Sequence, residues 1–233
     1  MDRILTTYLT SRLETSNKSL DLDWLGFFSQ SSGHSALLLR CQAGNYTRTR
    51  ALFTTPVIFN QTVFGQLHAA SHSIEAFDGF KIREQVESIA CQFAVLLAAT
   101  DLEKAMALDR EMERLQKENR HYDWCGIYKL NGKALFLNAF RGPATPHVVI
   151  PRDEGICGAA VRENQTLNIP DVTVDSRYIS CDVRTRSELV VPIRNAQGEA
   201  VAEIDIDSHL PNAFSTPDIE KLEKLATRLA PLC

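Results

Sequence analysis

The sequence predicts an α+β protein built twice over: two antiparallel sheets, each carrying helices on one face. Three observations predict it. Segments of the first half return in the second, apolar residues recur at helical spacing around each copy, and apolar and polar residues alternate along the intervening strands. Asp23-Trp24-Leu25-Gly26-Phe27-Phe28 returns as Asp123-Trp124-Cys125-Gly126-Ile127-Tyr128, an offset of 100 residues. Further on, Thr54-Thr55-Pro56-Val57 returns as Val190-Val191-Pro192-Ile193, and the stretch from Ser71 to Phe77 matches that from Ser208 to Phe214, with offsets of 136 and 137 residues. The two copies therefore share a beginning and an end, and the first is shorter in its middle by about 36 residues.

In chain order, residues 4–13 read as the helix that opens the first copy. Residues 33–44 resemble 132–142, and both read as a second strand after a turn. In the strand TVFGQLHAAS, Gly65, Leu67 and Ala69 face the core, while Gln66, His68 and Ala70 face away. Ile82, Val86, Ile89, Phe93 and Leu96 then recur near a period of 3.6, predicting a helix over 81–100. Thr100-Asp101-Leu102-Glu103 reads either as a capping box opening a new helix or as the inside of a continuous one. Leu102, Met106, Met112 and Leu115 extend a weaker stripe to about residue 120, with charged residues on a solvated face. The expected division is a truncated domain at 1–99 without site residues, a helical linker at 100–120 and a site-bearing domain at 121–233. The linker packs on its own domain or pairs with a second chain, and the second case makes a homodimer.

Composition excludes several function classes. The 233 residues carry 25 basic and 29 acidic side chains, and 44% are hydrophobic. Such a mixed, weakly acidic balance offers no footprint for nucleic acid or an anionic membrane. No apolar run approaches the ~20 residues of a spanning helix. The N-terminal stretch lacks an apolar core with a small-residue cleavage site. Six cysteines in such a chain point to reduced thiols in the cytoplasm, and none has the short spacing of a structural zinc site.

The site-bearing candidates lie in the longer copy. Period two on Ala200–Ser208 sets Ala202, Ile204 and Ile206 on one face and Glu203, Asp205 and Asp207 on the other. Three carboxylates in a row repel one another unless a cation sits there. The first copy has Gln66, His68 and Ala70 at these places, so the fold does not demand acids. Asp205 and Asp207 read as a ligand face, while Glu203 reads as a wet outer position. Glu188 enters the apolar strand Leu189-Val190-Val191-Pro192 and either starts it half-exposed or joins the acids from next door. Cys157 falls in the first turn of a helix reaching about Glu163, where free amides and the helix dipole favour a thiolate. Cys181 has Arg184 and Arg186 nearby to lower its pKa and Asp182 to oppose them. Cys41, Cys91 and Cys125 sit in apolar patterns and read as small core residues, and Cys233 carries no assigned role.

Five stretches follow one another as in a known family: Asp123-Trp124-x-Gly-x-Tyr128, Gly155-Ile-Cys157-Gly, Ile179-Ser-Cys181-Asp182, Ser187-Glu188-x-Val-Val-Pro192 and Asp205-Ile-Asp207-Ser208. In these the chain resembles the free methionine-(R)-sulfoxide reductases, which are GAF-domain enzymes. The resemblance runs from Asp123 onward; the first half resembles only a degenerate, shortened GAF domain. It implies that the Cys181 thiolate attacks the sulfoxide sulfur and keeps the oxygen as a sulfenic acid. A second thiol then closes a disulfide, which a thioredoxin-like reductant opens; no bound cofactor is implied. Glu188, Asp205 and Asp207 would hold the substrate ammonium, one of them donating a proton to the sulfoxide oxygen. Trp124 and Tyr128 would wall the pocket around the methyl sulfoxide. The family usually carries another cysteine shortly before the Ile-Pro that precedes the Gly-x-Cys-Gly turn. Residues 141–151 here have none, which leaves Cys157 as the nearby candidate for resolving the sulfenic acid. His147 in that stretch reads as a surface-loop histidine, with proton shuttling as its alternative. The rival to catalysis is a GAF sensor or regulatory dimer that binds a small ligand without turnover.

Overall fold

The computed structural model describes residues 3–20, 22, 24–30, 37–44, 50–71, 73, 75–78, 80–180 and 182–233. Asp23, residues 33–36, the Cys41 side chain and Cys181, all singled out in the sequence, lie outside the described residues. The chain divides into two compact units, Met1–Ala98 and Ala99–Cys233.

The first unit runs α1 (Arg3–Leu20), β1 (Trp24–Gln30), β2 (Leu37–Gly44), β3 (Ala51–Phe59), β4 (Thr62–Ser71) and α2 (Phe80–Ala98). Its strands pair antiparallel in the order β2-β1-β4-β3. Leu5, Leu9 and Leu13 recur every fourth residue and form the buried stripe of α1. That helix continues to Leu20, past the apolar stripe, with Thr15 and Ser19 hydroxyls donating to carbonyls of the preceding turn. On β4, Leu67 and Ala69 are fully buried, while Gln66 and His68 are half-buried on the opposite face and hydrogen-bonded to each other.

The second unit runs α3 (Leu102–Glu118), β5 (Trp124–Asn131), β6 (Ala134–Arg141), β7 (Val149–Pro151), α4 (Gly155–Glu163), β8 (Leu167–Ile169), β9 (Ser187–Arg194), β10 (Ala200–Ser208) and α5 (Thr216–Leu229). A single 3₁₀ turn at Val172–Val174 follows β8. The sheet order is β7-β6-β5-β10-β9-β8, and every pairing is antiparallel. Its middle four strands have the order of the first sheet. Their register agrees too: Gly26 faces His68 as Gly126 faces Asp205, and Pro56 faces Gln66 as Pro192 faces Glu203. The extra middle segment of the second unit supplies α4 and both short edge strands.

A new helix does begin at residue 102. The Asp101 carboxylate accepts from the Lys104 amide at 3.1 Å, supplying the cap that exposed first-turn amides need. Leu108, Met112 and Leu115 of α3 share one core with Leu222, Leu225 and Leu229 of α5 and with Ala202, Ile204 and Ile206 of β10. The alternation on β10 thus sends its apolar side under the two long helices. A buried bidentate ion pair between Arg141 and Asp109 ties β6 to α3, with Nη2 2.8 Å from Oδ2. The short helix α4 packs against β7, β9 and β10 and covers the other, acid-bearing face.

Both units repeat one local device. The indole of Trp24 lies over Gly26, and that of Trp124 lies over Gly126, where an added Cβ would fall 2.1 Å from a ring carbon. Residues two apart on a strand share a face, so only a missing side chain lets the ring fold flat there. Among the described residues, no helix is long and apolar enough to cross a membrane.

Candidate active site

The site is built where α4 meets β9 and β10. Gly155 adopts φ +71, a left-handed turn that swings the chain into α4. Gly158 lets the helix approach the Arg152 carbonyl, which a Cβ would meet at 2.6 Å. Between these glycines, Ile156 and Cys157 are buried and aimed at the sheet. The Cys157 thiol lies 3.5 Å from Asp205 Oδ2 and 3.9 Å from Glu188 Oε1. Glu188 stands directly opposite Asp207 on neighbouring strands, so β9 contributes a carboxylate to the cluster.

All four acids, Glu188, Glu203, Asp205 and Asp207, are buried. Glu203 corrects the expectation of a wet outer position: it is wholly buried because α4 seals the face on which it lies. Neither of its carboxylate oxygens, nor Asp205 Oδ1, has a hydrogen-bond partner among the described residues. Burial first, and then the neighbouring charges, push Glu188, Glu203 and Asp207 well above the usual carboxylate range. Burial lifts Asp205 to about 7, while its contact with the Cys157 thiol draws it down. Four such groups cannot all ionise together, so the cluster holds protons at neutral pH and titrates as a unit.

Cys157, Glu188, Asp205 and Asp207 open onto one hollow, which His147, Ile150, Gly155, Ile156 and Ile179 complete. Its free volume is about 20 Å³, room for one water-sized group. His147, read from sequence as a surface residue, is half-buried in this wall. Its Nε2 lies 3.2 Å from the Ser180 carbonyl, so the ring hydrogen in this contact is on Nε2. On the other side of position 181, Asp182 is held by Arg184 at 2.7 Å and faces His209 at 3.6 Å. The Arg184 charge expected to act on Cys181 is thus engaged by Asp182.

Trp124 and Tyr128 sit on the acid face of β5, opposite Asp207 and Glu203, but are not among the residues lining the hollow. Trp124 stacks on Phe140 and Tyr128, and the Tyr128 hydroxyl donates to the His147 carbonyl at 2.9 Å. They back the wall that carries His147. Cys125 lies in the apolar core, where burial and the Asp205 charge push its thiol up, as suits a packing residue.

Residues 105–231 match the family model described as GAF domain. The chain belongs to the GAF domain family. The GAF unit is 36% identical over 107 residues to the free methionine-R-sulfoxide reductase of Escherichia coli, covering 46% of this chain and 64% of that protein. The chain spans just under two thirds of the length of such curated relatives. Among solved structures, the GAF fold overlays a type II free methionine-R-sulfoxide reductase from Thermoplasma acidophilum with a TM-score of 0.55 and 40% identity, over 56% of this chain and 92% of that one. The Neisseria meningitidis free methionine-R-sulfoxide reductase, solved with its substrate, overlays with a TM-score of 0.52 and 28% identity, over 60% of this chain and 81% of that one.

Proposed function

We propose that this chain reduces free methionine-(R)-sulfoxide to methionine. The observation that carries the reading is the set of buried carboxylates that opens, beside a thiol, onto one hollow. Among the described residues no ion pair reaches these acids, so an arriving ammonium would relieve their repulsion. A free amino acid supplies that ammonium, and the relatives named above are free methionine-R-sulfoxide reductases.

In this reading the Cys181 thiolate attacks the sulfoxide sulfur. The oxygen transfers to the cysteine, methionine leaves, and a sulfenic acid remains. Asp205, near pKa 7, is the carboxyl suited to give a proton to the sulfoxide oxygen at neutral pH. Cys157 then attacks the sulfenic acid, water leaves and a disulfide forms, which a thioredoxin-like dithiol reduces. A free amino acid is larger than the hollow, so binding moves Ile179 and His147 outward. The same narrowness favours one rival, in which the GAF unit senses a smaller ligand without turnover.

The test is turnover by reduced protein with free methionine-(R)-sulfoxide and dithiothreitol. Methionine should form, Cys181→Ser should abolish it, and Glu188→Gln should lower kcat/KM by about 100-fold. No methionine, or full activity in Cys181→Ser, overturns the reading.

A further inference from the structure

The geometry points to a second ligand class for this hollow: a single divalent transition-metal ion, of the zinc type, held by Cys157, Glu188 and Asp205. One sulfur and two carboxylate oxygens, from Cys157, Glu188 and Asp205, lie within 4.8 Å of one another. Zinc bonds of ~2.3 Å to sulfur and ~2.0 Å to oxygen at tetrahedral angles set a sulfur–oxygen edge of roughly 3.5 Å. The Cys157–Asp205 separation is 3.5 Å and the Cys157–Glu188 separation is 3.9 Å. Two edges of such a tetrahedron are therefore nearly formed.

Asp205 supplies an independent observation. It is buried, lines the hollow, and leaves Oδ1 without a hydrogen-bond partner among the described residues while Oδ2 lies against the Cys157 thiol. The fourth position of the ion is left to water or an incoming ligand, as in zinc sites with three protein ligands. The size agrees as well: about 20 Å³ admits one ion. A dication also offsets the mutual repulsion of the carboxylates, which no salt bridge relieves among the described residues. A mixed sulfur and oxygen donor set suits zinc better than magnesium or calcium, which take oxygen alone.

Binding displaces the thiol proton and the carboxyl protons to solvent, and no electron moves. The ion would exclude an amino-acid ammonium from the same acids and occupy Cys157. Zinc would then inhibit turnover in competition with substrate, a consequence that rests on the reductase reading. The site itself does not.

The experiment is calorimetric titration of the reduced full chain with zinc, paired with cobalt titration followed optically. One equivalent should bind, and cobalt should show a thiolate charge-transfer band. Cys157→Ser should abolish the band, and Asp205→Asn and Glu188→Gln should each weaken zinc binding at least ~10-fold. Absence of binding at micromolar zinc, or undiminished binding by Cys157→Ser, overturns the site. If Cys157→Ser fails to fold by circular dichroism, Glu188→Gln decides: unchanged affinity overturns the site. Because no turnover is read, zinc binding without sulfoxide reduction sustains this site and sinks the reductase reading, and the converse result does the opposite.

Discussion

Glu203 shows where a strand pattern stops being informative. Alternation puts it on the face of Asp205, but whether that face meets water depends on α4, 40 or more residues earlier in the chain. Nothing local to β10 records the helix that seals it. Its burial has a consequence that can be measured. The native state keeps the Asp205 proton to about pH 7, and burial raises Glu203 in the same direction, whereas the unfolded chain releases both at about pH 4. Folded pKa values raised in this way make stability fall as pH rises through that window, by up to ~1.4 kcal/mol per pH unit for each such group. Urea midpoints should therefore decline from pH 5 to pH 8, and a flat profile would contradict the clustering. Glu203→Gln keeps the shape and removes the ionisable group. It should raise the midpoint at pH 8 and change little at pH 5; a loss at pH 8 would mean that Glu203 has a stabilising partner.

At the scale of elements, periodicity locates most of the second unit. The helix expected from Cys157 to about Glu163 is α4, and the strand at Ala200–Ser208 is β10. Short strands of three residues, β7 and β8, leave no such signal, because a period needs more repeats than they contain. The aromatic wall has a related lesson: the resemblance names Trp124 and Tyr128 as pocket residues, but no pattern in the sequence records that the Trp124 ring folds back over Gly126. Gly126→Ala puts a methyl group into that ring and should cost ~1–3 kcal/mol in urea unfolding. An unchanged midpoint would mean that the indole is not held there. The tie between α3 and β6 is invisible in sequence, since Asp109 and Arg141 lie 32 positions apart. Arg141→Ala strands the buried Asp109 carboxylate and should cost ~3–5 kcal/mol, with part of the loss recovered by adding Asp109→Ala.

For the whole molecule, the repeated Asp-Trp-x-Gly segments and changing offsets make the paired organisation legible in the sequence itself. The two sheets share strand order and register over their common four strands. Among the described residues the second alone carries α4 and the buried acids, so the proposed chemistry is assigned to that unit. Its core draws on α3, α5 and its own sheet. Residues 99–233 expressed alone should therefore unfold in one cooperative transition, as read by coincident circular dichroism and fluorescence midpoints. The most direct measurement of the central claim compares two ligands on the Cys181→Ser chain by calorimetry, where turnover is stopped. Free methionine-(R)-sulfoxide should bind, and its N-acetyl derivative, which has no ammonium for the buried acids, should bind at least ~100-fold more weakly. Equal affinity for the two, or no binding of either, would contradict it.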